Sequence, residues 1–329
     1  MNFAQYIREI ARGPNGANDL TTEEARHLYG AILDGGVPDF ELGAIITALR
    51  LKGESPAEML GFFEAMHTRC HTLNIPANCR YRPIVLPSYN GARKIPNLTP
   101  LLALLLQQFG IPVVVHGLLE GFGRVTSAQV FRELGVMPVV QLTQAQAALD
   151  QQGLVFIPLS VLSQGMSSQL ALRGRTGLRN CAHSLVKMLD PFKGEGTVVM
   201  AATHPEYLDS MRDIALITSQ NALLLRATEG EPFANPKRRP TIEYLQGGQQ
   251  ETLFEAEHDS LKGLPGLPEE PDARVTAEWT RRVLEKSVAP PHPITNQLAA
   301  CLYASGYTQT LSEAKAILAI KGVSHLATP

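Results

Sequence analysis

The 329-residue chain is poor in cysteine and aromatic residues, with four cysteines, one tryptophan and an aromatic content of 6%. Cys70, Cys79, Cys181 and Cys301 form no CxxC pair. That excludes a disulfide scaffold in a chain this long and fits a reducing compartment. His67, Cys70, His71 and Cys79 are metal-ligating residue types, but they lack finger or ribbon spacing and read as a helix end entering a linker. No metal is expected. Long apolar runs are also missing: the stretch 98–116 is broken by Pro100, Gln107, Gln108 and Pro112, too interrupted for a membrane helix. The opening MNFAQYIREIAR has charges inside an amphipathic pattern, not the apolar centre of a signal peptide, so a cytoplasmic address is expected. Finally, neither sign of charge dominates. With 29 Lys+Arg against 31 Asp+Glu the net charge is −2, which would argue against a polyanionic partner if it were evenly spread.

It is not evenly spread. Residues 1–79 carry −4, residues 80–239 carry +6 and residues 240–329 carry −4. A basic centre between acidic flanks is a statement about partners and points to an anionic ligand. The hydrophobic content of 44% supplies at least one large core, and the length suggests two domains.

Residues 1–72 read as helices. Thr21 or Thr22 caps the first clear one before Glu23 and Glu24, with Ala25, Leu28, Tyr29 and Ile32 at helical spacing until Gly35-Gly36. A second runs from Pro38 through Leu51, and a third starts at Ser55-Pro56. After a proline-punctuated linker, short branched runs at 83–86, 112–115, 154–157, 197–200 and 222–225 alternate with helical stretches. That alternation predicts an α/β fold: a small helical domain plus a larger α/β domain with a mostly parallel central sheet. The helical domain spans 1–72, joined by about 163–190, and the α/β domain takes 80–162 and 191–329. Residues 258–274 read as a loop and 294–319 as a closing helix pair.

In such sheets ligands bind beyond the carboxyl ends of the strands. The loops there carry Arg93 and Lys94, then Arg124, then Arg226, Lys237, Arg238 and Arg239. The helical segment 173–187 adds Arg173, Arg175, Arg179 and Lys187, against only Glu120, Glu229 and Glu231. Guanidinium forks and ammonium groups suit phosphate. Tyr89 and Phe122 are candidates for stacking on a base.

LTTEEA at 20–25, ELGA at 41–44, ALRLKGES at 48–55, GIPVVVHG at 110–117 and ELG at 133–135 resemble the anthranilate phosphoribosyltransferase family, glycosyltransferase family 3. The resemblance covers nearly the whole chain, including 296–306. It implies the nucleoside phosphorylase and phosphoribosyltransferase fold, dimeric through the helical domain. The family's active-site motifs are lost. Its glycine-rich GTGGD loop, which holds the pyrophosphate of phosphoribosyl pyrophosphate, falls on 87–91 (PSYNG), where Pro87 has no N–H to donate. Its KHGN falls on 115–118, its paired serines on Phe122-Gly123, and its magnesium-binding Asp-Glu pair on Pro232-Phe233. What persists are Asn97, Thr99, His116, Arg124 in place of a lysine, and Arg173 where the family places its anthranilate-binding arginine.

PSYNGARK at 87–94 and NLTPLL at 97–102 resemble the DNA-binding, YbiB-type branch of that family. The resemblance implies a homodimer that binds single- and double-stranded nucleic acid in a basic groove with little sequence preference. No catalytic residue, metal or cofactor is then expected. The alternative is a divergent phosphoribosyltransferase or phosphorylase using magnesium and phosphoribosyl pyrophosphate.

Overall fold

In a computed structural model, which describes residues 2–13, 15–259, 264 and 266–323, four helices come first: α1 (Phe3–Ile10), α2 (Thr22–Leu33), α3 (Asp39–Lys52) and α4 (Pro56–His67). Local chemistry sets their ends. Thr21 and Glu24 form a reciprocal capping box on α2, and Ser55 and Glu58 form another on α4, whose first residue is Pro56. Gly61 lets α4 lie directly on α2, since a Cβ there would run into the Thr22 carbonyl. Glu58 is fully buried: it accepts hydrogen bonds from Leu20 N (3.0 Å) and Ser55 N (2.7 Å) and pairs with Lys52 Nζ at 2.7 Å.

The chain then alternates: β1 (Ile84–Ser88), α5 (Thr99–Gln108), β2 (Val113–Gly117), α6 (Ser127–Glu133), α7 (Leu142–Gln152), β3 (Leu154–Pro158), α8 (Leu159–Leu162), α9 (Gln164–Thr176) and α10 (Ala182–Leu185). It continues with β4 (Thr197–Ala202), α11 (Pro205–Thr218), β5 (Ala222–Arg226), β6 (Ile242–Gln246), β7 (Gln249–Phe254), α12 (Ala273–Leu284), α13 (His292–Ala304) and α14 (Leu311–Ile320). One sheet of order β3-β2-β1-β4-β5-β6-β7 results, parallel through β5 and antiparallel beyond it. The five parallel strands are the five apolar runs of the sequence.

Each strand alternates between two cores. Val85, Val114, Val155 and Val198 pack into the same core as the N-terminal helices, while Ile84, Leu86, Val113, Val115 and Val199 face the core built by α5, α12 and α13. The segment α9–α10 joins the first core: Gly165 sits against the Leu33 backbone, and Tyr29 reaches the Met166 sulfur at 3.6 Å. Because the strands from β1 to β5 run the same way, their following loops converge on one edge.

Two features depart from expectation. The β6–β7 hairpin extends the sheet, turning at Gly247-Gly248, both at positive φ (57° and 76°) as a tight hairpin requires. The loop expected over 258–274 ends sooner, because Asp272 caps α12 and starts it at Ala273; residues 260–263 and 265 lie outside the described residues. No helix among the described residues is long and apolar enough to cross a membrane.

Candidate functional site

β1 ends at Ser88, with Gly117 of β2 so close that a Cβ would strike the Ser88 carbonyl. The chain turns at Gly91 (φ +67°) and is pinned by an antiparallel bridge between Ala92 and Val125. This geometry aims the amides of residues 90, 91, 93 and 94 outward from the strand end. The loop after β5 meets them with two carboxylates. Glu231 Oε1 accepts from Asn90 N and Gly91 N, both at 2.8 Å, and Oε2 accepts from the Ser88 hydroxyl. Asn97 Nδ2 (3.4 Å), Thr99 Oγ1 (3.4 Å) and Ser127 Oγ (3.5 Å) close round the same oxygen. Glu229 accepts from Arg93 N at 3.0 Å and Lys94 N at 2.7 Å. Gly230 between them has no room for a side chain against the Asn90 amide.

The expectation that Pro87 abolishes the cradle is therefore corrected: the donors sit further along the loop, and the chain's own carboxylates hold them. Asn97 and Thr99 are corrected too. Both are fully buried and turned onto Glu231, so neither reaches a ligand in the groove.

Three further candidates prove to be interior groups. His116 is fully buried, its Nδ1 2.6 Å from Tyr89 Oη and its Nε2 3.2 Å from the Leu189 carbonyl. A carbonyl can only accept, so Nε2 carries the proton and the tyrosine hydroxyl donates to Nδ1. Burial pushes His116 down to about 4, so it is neutral at pH 7. Tyr89 is buried with it and is no stacking platform. Lys187 spends its ammonium on the carbonyls of Ala201 (2.9 Å) and Gly230 (3.1 Å); burial lowers it to about 8, with the Glu231 charge acting the other way.

Other cations are paired. Arg124 lies 3.5 Å from Glu229, Arg175 3.1 Å from Asp39 and Arg239 3.3 Å from Glu257. Arg93, Lys94, Arg179, Arg226, Lys237 and Arg238 are exposed, and together with the half-exposed Arg173 they make no ion pair among the described residues. Arg173 lies 5.3 Å from the Phe122 ring centroid. Phe122 stands 66% exposed at the tip of a tight turn, with φ +37°, a backbone state that costs energy for a bulky residue.

Two clefts take in some of these groups. One, of about 690 Å³, is lined by Arg226, Arg238, Arg239 and Glu229 at the β5 end. The other, of about 410 Å³, lies between the helical layer and β4, lined by Arg50, Arg179, His183, Lys187, His204 and Tyr207. Asn90, between Glu229 and the second cleft, joins the two. In the second cleft Arg179 is lowered by desolvation and by Arg173 and Arg124, and His183 is held near 4 by burial and Arg179. His183 is therefore neutral at pH 7, and the charge of the cleft is that of Arg50, Arg179 and Lys187 against Glu54 and Glu206. Arg50, His183, His204 and Tyr207 carry no signal in the sequence because they come from separate segments. Glu229 and Glu231 read there only as minority charges.

The residues at the family's magnesium position do not fit a cation. Pro232 and Phe233 are buried and apolar, with the Pro232 carbonyl taken by Gln297 Nε2 at 2.9 Å. Among the described residues no three His, Cys, Asp or Glu side chains converge as a metal site, and His67, Cys70, His71 and Cys79 are no exception.

Residues 4–70 match the glycosyl transferase family helical bundle domain. The chain is 43% identical over 314 residues to the uncharacterized protein YbiB of Escherichia coli K12, covering 95% of this chain and 97% of that protein. It is 29% identical over 205 residues to anthranilate phosphoribosyltransferase of Methanosphaerula palustris, covering 62% of this chain and 60% of that one. Among solved structures, anthranilate phosphoribosyltransferase from Thermus thermophilus superposes with a TM-score of 0.78 at 22% identity, over 98% of this chain and 95% of the other. The Saccharomyces cerevisiae enzyme in complex with PRPP and Mg gives 0.70 at 14%, over 98% and 93%. These two similarities show the fold.

Proposed function

We propose that this chain, which belongs to the anthranilate phosphoribosyltransferase family of glycosyl transferases, is a nucleic-acid-binding protein that grips the phosphate backbone of single and double strands with little sequence preference. The observation that carries the reading is the set of cations without ion-pair partners among the described residues in the loops beyond the strand ends and on the α9–α10 segment: Arg93 and Lys94, Arg226, Lys237 and Arg238, and Arg173 with Arg179, of which Arg226 and Arg238 line one cleft and Arg179 the other. Arg and Lys that are not neutralised internally displace counterions from a polyanion, and that release drives sequence-independent binding. Phe122 beside Arg173 supplies an exposed ring for an unpaired base. Tight binding of mixed-sequence oligonucleotides in a fluorescence anisotropy titration at low salt tests this reading; no binding there would remove it.

The helical layer suits a second copy of the chain. An apolar cleft of about 770 Å³ opens between α1 and α3, lined by Ile10, Ala44 and Ala48, with Phe40 and Leu51 86% and 81% exposed. Exposed large apolar side chains clustered in this way mark an association surface. The reading expects a dimer by light scattering that Leu51→Asp converts to monomer.

A second reading, a phosphoribosyltransferase or phosphorylase with a divergent substrate, draws support from the family and from the surviving donors at Ser88, Asn97, Thr99 and Ser127. Magnesium-dependent turnover of phosphoribosyl pyrophosphate with anthranilate would establish it. The filled cradle and the apolar Pro232-Phe233 favour the binding protein.

A further inference from the structure

Glu231 is surrounded more as a bound anion is than as a structural carboxylate. Five donor groups face its two oxygens: the amides of Asn90 and Gly91, the hydroxyls of Ser88 and Thr99, and the Asn97 side-chain amide, while the Ser127 hydroxyl, 2.7 Å from Ser88 Oγ, donates to the serine that donates to Glu231. No ion pair neutralises it among the described residues, although it is fully buried. A carboxylate offers about four lone-pair directions, so the donors outnumber what it can accept. A tetrahedral oxyanion, with more oxygens, matches them better. The converging backbone amides form an anion-binding concavity of the kind that holds phosphate in other proteins. Lys187, whose ammonium sits on the Gly230 carbonyl, adds a positive charge behind it.

We infer that Glu231 is a tethered stand-in for a tetrahedral oxyanion: Ser88, Asn90, Gly91, Asn97 and Thr99 with Ser127 form a phosphate site that this one side chain keeps filled, and removing it opens the site to inorganic phosphate or diphosphate. The inference is independent of nucleic-acid binding, because the exposed cations lie outside the cradle and Glu231 makes no contact with their charged groups among the described residues.

The test uses the full-length protein without divalent metal, titrated with inorganic phosphate and diphosphate by calorimetry and followed by thermal unfolding. Wild type should show no saturable binding at the cradle. Glu231→Ala and the smaller-cavity variant Glu231→Ser should each bind at least about tenfold more tightly than wild type. Their melting temperatures, lowered by the substitution, should rise saturably with the anion. Glu231→Gln keeps the site filled and should bind no better than wild type. Adding Thr99→Val to Glu231→Ser should cancel the gain, which places the anion in the cradle and not on the basic surface. If Glu231→Ala fails to fold, Glu231→Ser and Glu231→Gln still decide. Wild type binding as tightly as Glu231→Ser, or folded Glu231→Ser gaining no affinity, overturns the inference.

Discussion

The molecule buries Glu58 and Glu231 completely, and they are held in opposite ways. Glu58, in the helical layer, faces Lys52 at 2.7 Å and caps its own helix. Glu231, at the strand-end edge, is caged by neutral donors from separate stretches of chain. The first is a counter-ion that fixes how α3 meets α4. The second occupies a site. A buried carboxylate with a cation partner reports on packing, and one held by the amides of its own turn, as Asp190 is by Phe192, Gly194 and Gly196, shapes a loop; Glu231 differs from both in drawing its donors from separate stretches of chain.

The largest expected effect separates the two directly. Glu58→Ala leaves the Leu20 and Ser55 amides without their acceptor and takes away one of the two carboxylates on Lys52, Asp19 remaining at 2.5 Å, and should cost about 3 kcal/mol in chemical denaturation. Added phosphate should not restore it, whereas the loss in Glu231→Ala should be partly recovered. Equal recovery in both would erase the distinction.

Next in size is an acid effect on the strand-end side, where His116 pairs across the sheet with Pro87. Its folded pKa of about 4 lies below the ordinary 6.5, so the unfolded chain binds more protons between those values. Stability from this group is complete above about pH 6.5 and falls as the pH drops toward 4. By pH 4.5 the loss should reach about 2–3 kcal/mol, and His116→Gln should remove that part of the slope. An unchanged slope would show that the histidine is not held neutral.

A smaller effect concerns the cations outside the cradle. Reversing Lys237 and Arg238 to Glu should weaken oligonucleotide binding by at least about tenfold for every sequence alike. Loss for one sequence only would point to base reading. The smallest effect is expected at Phe122: replacement by Ala should cost about 1 kcal/mol with single strands and leave duplex binding unchanged.

The five parallel strands are legible in the sequence because strands buried on both faces leave unbroken branched runs, as at 112–115 and 222–225. The helix caps at Thr21 and Ser55 are legible because their chemistry is local. The β6–β7 hairpin carries a Gly-Gly signal at 247–248, but one that is hard to separate from the surrounding βα units. The basic strand-end edge follows from topology plus charge. Which candidates face solvent does not. Asn97, Thr99, His116 and Lys187 look like ligand residues in one dimension and are buried by tertiary packing. Glu231 reaches Asn90 across about 140 residues of sequence, a contact that only the closed sheet creates.

The most direct test of the binding function is the salt dependence of affinity for a mixed-sequence oligonucleotide between about 50 and 200 mM, for wild type and the Lys237→Glu/Arg238→Glu variant. A set of exposed, unneutralised cations predicts a steep linear fall of log affinity with log salt, shallower by about 2 in the double variant. A flat profile in wild type, or an identical slope in the variant, would contradict it.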